Sequence, residues 1–172
     1  FARPEKDTLV LSTSKHFFIH YDTDGKDGLN LTDRNLNNIP DYIDKVSSFA
    51  DIAFFNIVDS MGYKTEPSDE DSIYDIYVNY LPEGEYGYNW SEGNGISYLE
   101  IATNYENYKS SANPDQLLQI VVTHEYFHAI QRGYKPNYSS NDSYFLEMTS
   151  MWLEDVIIPE GNDYLGDIWT QA

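Results

Sequence analysis

The stretch Val121-Val-Thr-His-Glu-Tyr-Phe-His-Ala-Ile-Gln131 places two histidines four residues apart in an apolar run without Gly or Pro. Such a run predicts a helix, and the four-residue spacing puts His124 and His128 on one face of it. Two imidazoles so placed can converge on one metal ion. Glu125 stands beside the first, where a carboxylate reaches a metal-activated water. A chain with this stretch must therefore fold so that further ligands reach that face while one position stays open. The chemistry implied is zinc-assisted hydrolysis of peptide bonds.

Zinc in a catalytic site takes three protein ligands and keeps the fourth position for water. No His follows His128 and the chain has no Cys, so the third ligand must be a carboxylate. Glu147, Glu154 and Asp155 are the candidates, all on a predicted helix over 144–158. Glu147 and Glu154 are seven apart and can point the same way. The neighbours Phe145, Leu146, Met148, Met151 and Trp152 predict that this helix is largely buried, so that an unpaired charge on it would be costly.

The arrangement resembles the gluzincin clan of zinc peptidases, in which H-E-x-x-H is followed on a later helix by a ligating Glu. In the aminopeptidase branch eighteen residues separate the second His from that Glu. Residues 129–146, eighteen in all, separate His128 from Glu147, so the resemblance implies Glu147 as third ligand. A metzincin would need Gly at 131 and His at 134, where this chain has Gln131 and Tyr134. The segments His-Glu-Tyr-Phe-His-Ala-Ile-Gln131, Glu-x-Thr-Ser-x-Trp-Leu-Glu-Asp155 and Asn-Ile-Pro-Asp-Tyr42 are also similar to a group of secreted bacterial metallopeptidases, over about 16–164. That likeness implies a secreted protein and a peptide or protein substrate.

The same resemblance implies an α+β, zincin-like fold: a small mixed sheet, a long backing helix, an active-site helix and a C-terminal helix supplying the third ligand. It implies Glu125 as general base and an oxyanion donor downstream of the third ligand. Tyr164 is the only Tyr there, with Tyr134, Tyr138 and Tyr144 as alternatives. It implies too that the strand before the active-site helix, here Gly95, Ile96, Ser97, Tyr98 and Leu99 onward, pairs with an extended substrate. Leu146 and Met151 depart from the Asn and Asp of thermolysin-like helices, and Ser150 alone matches. The acid that orients a zinc-bound imidazole is then expected from Glu154 or Asp155.

Among 172 residues, 29 acidic and 10 basic side chains give a formal charge of −19. That surface repels nucleic acid and anionic membranes and favours a neutral or basic peptide. No stretch has the length of a transmembrane helix. The length predicts a single domain over 1–172, with a sheet lobe over about 1–133 and a helical lobe over about 134–172. A start at Phe1 predicts a processed or cut chain, and the last residues, 169–172, read as a truncation inside an element.

The remaining segments read as a strand over 16–21, a helix from Pro40 to Met61, strands over 73–80 and 95–102, a Gly-rich connection over 82–95, and an active-site helix from Pro114 closed by Gly133. His16 and His20 repeat the four-residue spacing, but in a strand they stand about 13 Å apart and cannot share an ion. Asp33, Asn35, Asn37, Ile39 (through its carbonyl), Asp41 and Asp44 follow the rhythm of a calcium loop, with Asn38 at the position that requires positive φ. An alternative use of the same features is a non-catalytic surface or adhesion module, with zinc and calcium as structural staples. Glu125 speaks against it, because a structural metal site has no use for a general base.

Overall fold

The computed structural model describes residues 2–69 and 71–161. Tyr164 lies outside the described residues. Five strands form one mixed sheet: β1 (Thr8–Leu11), β2 (Phe17–Tyr21), β3 (Tyr74–Asn79), β4 (Gly87–Gly93) and β5 (Ile96–Ala102). Their order is β1-β2-β3-β5-β4. Strands β2, β3 and β5 are parallel neighbours, while β1 and β4 are added antiparallel at the two edges. The parallel β2–β3 pair requires a crossover, and helix α1 (Asp41–Phe54) supplies it, continued by a π-helical turn over Phe55–Ser60.

Alternation along β2 places Phe17, Ile19 and Tyr21 in the core and leaves Phe18 and His20 half-buried on the other face. Ile76, Val78, Leu99 and Ile101 continue that core face across β3 and β5. Helix α1 packs on it through Ile43, Val46, Ala50 and Ala53, all fully buried. Helix α2 (Pro114–Tyr134) is apolar on most sides because it is enclosed: it contacts α1, β4, β5 and helix α3 (Ser140–Ile157). Among the described residues no helix is long and apolar enough to cross a membrane.

Four sequence expectations are corrected here. The connection over 82–95 contains a strand, β4, because Asn94 and Gly95, at φ 54° and 85°, form the tight turn that joins it to β5. Gly133 does not close α2, which continues to Tyr134. A Cβ on Gly133 would stand 3.2 Å from Pro67, so its glycine serves close packing. The helix predicted over 144–158 starts earlier, at Ser140, where the Asp142 carboxylate accepts from Ser139 N at 2.8 Å and Ser139 Oγ at 2.6 Å. Finally, α3 is not largely buried. Only its inner face, with Ser150, Leu153 and Glu154, is covered, while Phe145 is 68% and Trp152 54% exposed.

His16 and His20 belong to separate networks on opposite sides of the sheet. His20 meets Asp75 at 2.6 Å, and Arg3 joins the same carboxylate. His16 meets the buried Glu66 at 2.6 Å, and Glu66 also accepts from Tyr126 OH at 2.5 Å and Thr65 Oγ1 at 2.9 Å. Tyr126 stands inside the H-E-x-x-H stretch, so Glu66 holds the back of α2 while the histidines face away.

Burial works against ionisation of Glu66, but the bonds from His16 and Tyr126 outweigh it and hold the carboxyl below its ordinary value. A carboxyl depressed in the folded state stabilises above its unfolded value, about 4.3, and that stability is lost as pH falls through the lower folded value. Tyr126→Phe should cost about 1.5–3 kcal/mol in urea unfolding at neutral pH. Glu66→Gln should flatten the acid limb below about pH 4.3. An acid limb unchanged by Glu66→Gln contradicts this role.

Candidate metal centre

Helix α2 starts firmly. Asn113 Oδ1 accepts from Asp115 N at 3.1 Å and Gln116 N at 3.0 Å, Gln116 Oε1 accepts from Asn113 N at 3.2 Å, and Pro114 fills the first helical position. About two turns follow before the histidines, with Leu117, Leu118, Ile120, Val121 and Val122 buried. His124 and His128 stand one turn apart with ring centroids 4.7 Å apart and planes at 80°, their Nε2 atoms 3.0 Å from each other. Glu147 on α3 completes the cluster, with Oε2 3.2 Å from His124 Nε2 and Oε1 3.4 Å from His128 Nε2.

The other face of each ring fixes where its proton lies. His124 Nδ1 donates to Glu154, a buried carboxylate on α3. His128 Nδ1 is 2.8 Å from Gln131 Oε1. The amide orientation of Gln131 is set because its Nε2 donates to the Leu146 carbonyl at 3.0 Å and to Thr149 Oγ1 at 2.9 Å. Acceptors at both Nδ1 positions put the protons there, so both Nε2 lone pairs point into the same space.

Two lone pairs 3.0 Å apart beside a carboxylate repel one another unless a cation lies between them. A tetrahedral ion with nitrogen and oxygen ligands at 2.0–2.1 Å spaces them about 3.3 Å apart, close to the separations found here. His124, His128 and Glu147 can therefore hold a metal ion. Burial opposes protonation of His124, yet Glu147 and Glu154 outweigh it and push its pKa up to about 10. The two imidazoles beside it hold the Glu147 carboxyl well below the usual range. The field at this point favours positive charge.

Glu125 faces the same cleft. Burial pushes its carboxyl up, the two imidazoles pull it down, and Glu147 and Glu154 add to the upward side, for a net rise. The cleft, of about 350 Å³, runs between α2, α3 and the start of β4. A Cβ on Gly87 would stand 2.7 Å from Val121 Cγ1 and 3.1 Å from Glu125 Cγ, so only glycine lets β4 pass this close. A larger cavity of about 640 Å³, at the C-terminal ends of β3 and β5, has walls that include Tyr80, Tyr86 and Tyr108 and contains none of the three clustered ligands.

The sequence-predicted residues His124, Glu125, His128 and Glu147 all come together, though Glu147 is exposed on α3 where a buried environment was expected. Of the two acids expected to orient an imidazole, Glu154 makes the contact to His124. Tyr138 lines the cleft, but its hydroxyl donates to the His128 carbonyl at 3.1 Å. The Tyr134 hydroxyl is turned away to Lys64 N, and Tyr144 is exposed.

The pairing expected of Gly95, Ile96, Ser97, Tyr98 and Leu99 is corrected. Strand β5 is interior, bonded to β3 on one side and β4 on the other, and Ser97 and Tyr98 are buried. The sheet edge beside the cleft is β4.

In the predicted calcium loop Asn38 has φ 68°, and Asp33 accepts from Asn37 N at 3.2 Å and Asn38 N at 2.8 Å. Asp44 accepts from the amides of Asn35 and Asn37 at 2.8 and 3.0 Å, and Asp41 from Arg34 N at 2.9 Å. Asp33, Asp41 and Asp44 do not gather as the His124 cluster does, which is the one such group of His and acidic side chains among the described residues.

Sequence reasoning missed Gln131, Arg132, Gly87 and Asn89. Gln131 was legible as the i+3 neighbour of His128, and the β4 residues through the Asn94-Gly95 turn. Compared with known proteins, the chain matches no family model, and no curated protein or solved structure is significantly similar to it.

One divalent metal per chain is expected by elemental analysis, lost in Glu147→Ala. Glu154→Gln should retain the site with affinity reduced about 10–100-fold in chelator competition. Full metal retention by Glu147→Ala would dismiss the three-ligand cluster.

Proposed function

We propose that the chain is a zinc-dependent peptidase of the gluzincin kind, with His124, His128 and Glu147 as ligands and Glu125 as general base. The observation that carries the reading is the place of Glu125: a half-buried carboxylate lining the same cleft as His124, His128 and Glu147, the cluster fit for a cation. Neutral nitrogens plus one carboxylate suit zinc among the common divalent ions. When bound, zinc supplies a Lewis acid and brings the pKa of a water toward neutrality.

Glu125 takes a proton at its carboxylate from the attacking water and returns it to the leaving amine. Its raised pKa brings it nearer the working range of a base that must also act as an acid. Glu154 and Gln131 keep both imidazoles in the tautomer that presents Nε2. The outer edge of β4 has no strand partner among the described residues, and it starts at Gly87, against Glu125. An extended peptide laid along that edge finds main-chain hydrogen bonds and meets Glu125 at once. Secretion and a peptide or protein substrate belong to the same proposal, on the motifs already described.

Calcium at the loop spanning Asp33 to Asp44 is a second, structural part of it. Positive φ at Asn38 and the closing of the loop on itself, with Asp33 accepting from Asn38 N and Asp44 from the Asn35 amide, support this part. Millimolar calcium should raise the melting temperature relative to a calcium-selective chelator, and equal melting temperatures would remove calcium from the proposal.

Glu125→Gln should bind zinc as the native chain does and lose at least about 100-fold in peptide-library cleavage. Cleavage unchanged by Glu125→Gln refutes the mechanism. No cleavage by the zinc-loaded native chain would favour the non-catalytic surface module.

A further inference from the structure

Arg132 follows His128 by one helical turn, so its guanidinium shares the imidazole face of α2 and lines the same cleft. One edge of it is committed. Nε donates to Asn89 Oδ1 and Nη2 donates to the Asn89 carbonyl at 3.1 Å. Its plane is backed by the Tyr138 ring, 4.6 Å from Cζ to centroid, and Tyr138 is itself tied to the His128 carbonyl. The group is therefore held from β4 on one side and from the interhelical segment on the other.

What it lacks is an acid. Arg3 meets Asp69, Asp75 and Glu92, and Arg34 meets Asp41, but among the described residues Arg132 has no carboxylate within ion-pair distance. Of the three arginines it is the one without such a partner among the described residues, and it stands beside the metal cluster. A purely structural tie between α2 and β4 uses Nε and Nη2 and leaves Nη1 with nothing to do.

We propose that Arg132 is a specificity-determining residue whose free edge takes a carboxylate of the substrate close to the bond that is cut. This rests on the peptidase reading. One helical turn rises about 5.4 Å, and an extended residue spans about 3.3–3.6 Å. The carboxylate then belongs to a residue next to the scissile bond, as an acidic side chain or as the chain's free C-terminus. A fixed guanidinium fork is suited to bidentate carboxylate binding.

Two acids line the same cleft, Glu125 and Glu147, and Glu147 is already turned toward the imidazoles. The net charge of −19 favours neutral or basic peptides at long range. At physiological salt that field is screened beyond about 8 Å, and contact pairing decides inside the cleft.

Binding is to be measured by fluorescence anisotropy on zinc-loaded Glu125→Gln protein, so that no turnover is needed. The probes are two labelled peptide pairs. In one, blocked hexapeptides differ only by Glu or Gln beside the central bond. In the other, a peptide ends one residue past that bond as a free carboxylate or an amide. A preference of about tenfold for the carboxylate member is expected in at least one pair, and the pair showing it identifies the source.

Arg132→Gln should abolish that preference, and Arg132→Lys should keep only part of it. Asn89→Asp should also abolish it by occupying the guanidinium internally. There the hydroxyls of Tyr74 and Ser97, now 3.0 and 3.2 Å from Asn89 Nδ2, can turn to donate to the new carboxylate. Thermal melts identify any variant that fails to fold, and Asn89→Asp then decides. Equal or absent binding within both pairs, or a preference surviving Asn89→Asp, overturns the proposal. Failure of the native chain to cleave peptides would sink the peptidase reading alone, since the binding preference is read without cleavage.

Discussion

Two imidazole lone pairs directed at the same point, 3.0 Å apart, are the constraint around which this fold is arranged. Neither ring would hold that orientation alone. His124 needs Glu154, and His128 needs Gln131, whose own orientation depends on the Leu146 carbonyl and Thr149. All of these partners except Gln131 lie on α3, as does Glu147. Docking α3 on α2 and building the cluster are thus one event, and the α2–α3 interface is polar where it meets the rings for that reason.

The stretch that carries the histidines also divides its work by face. Tyr126 points back into the core, where the Glu66 carboxylate fixes it and where it meets the rings of Phe17 and Tyr74. Ala129 and Ile130 are fully buried on the way to Arg132. Each residue of the motif that does not face the cleft is engaged in holding the helix still. Preorganisation of this kind keeps ligands in register before any ion arrives. Strand β4 closes the other side of the cleft, and its closeness is bought by a single absent Cβ at Gly87.

Much of this was legible from residue spacing. Four-residue repeats placed His124 and His128 on one face, and the run from Pro114 specified the helix that carries them. The distance in sequence to Glu147 brought in the third ligand through a family likeness rather than through geometry. What escaped were features that depend on neighbours. Strand β4 lacks apolar alternation because it is an edge strand with Gly at both ends, so only its Asn94-Gly95 turn announced it. The burial expected for α3 from Phe145, Met148 and Trp152 failed because hydrophobic side chains at a helix surface say nothing about whether a partner covers them. Glu66 gave no signal at all in a polar loop, since a buried carboxylate is recognised by its donors and these come from far along the chain.

That outer face of α3 shapes how the molecule behaves in solution. Tyr144, Phe145, Met148, Met151, Trp152 and Val156 recur at three- and four-residue steps and form one exposed apolar stripe. At low ionic strength, repulsion between copies carrying −19 keeps such stripes apart. Added salt shortens the range of that repulsion, and strongly hydrated anions such as sulfate strengthen apolar association. The two effects act in the same direction, so added salt favours contact between copies through this outer stripe, on the side of α3 turned away from the cleft.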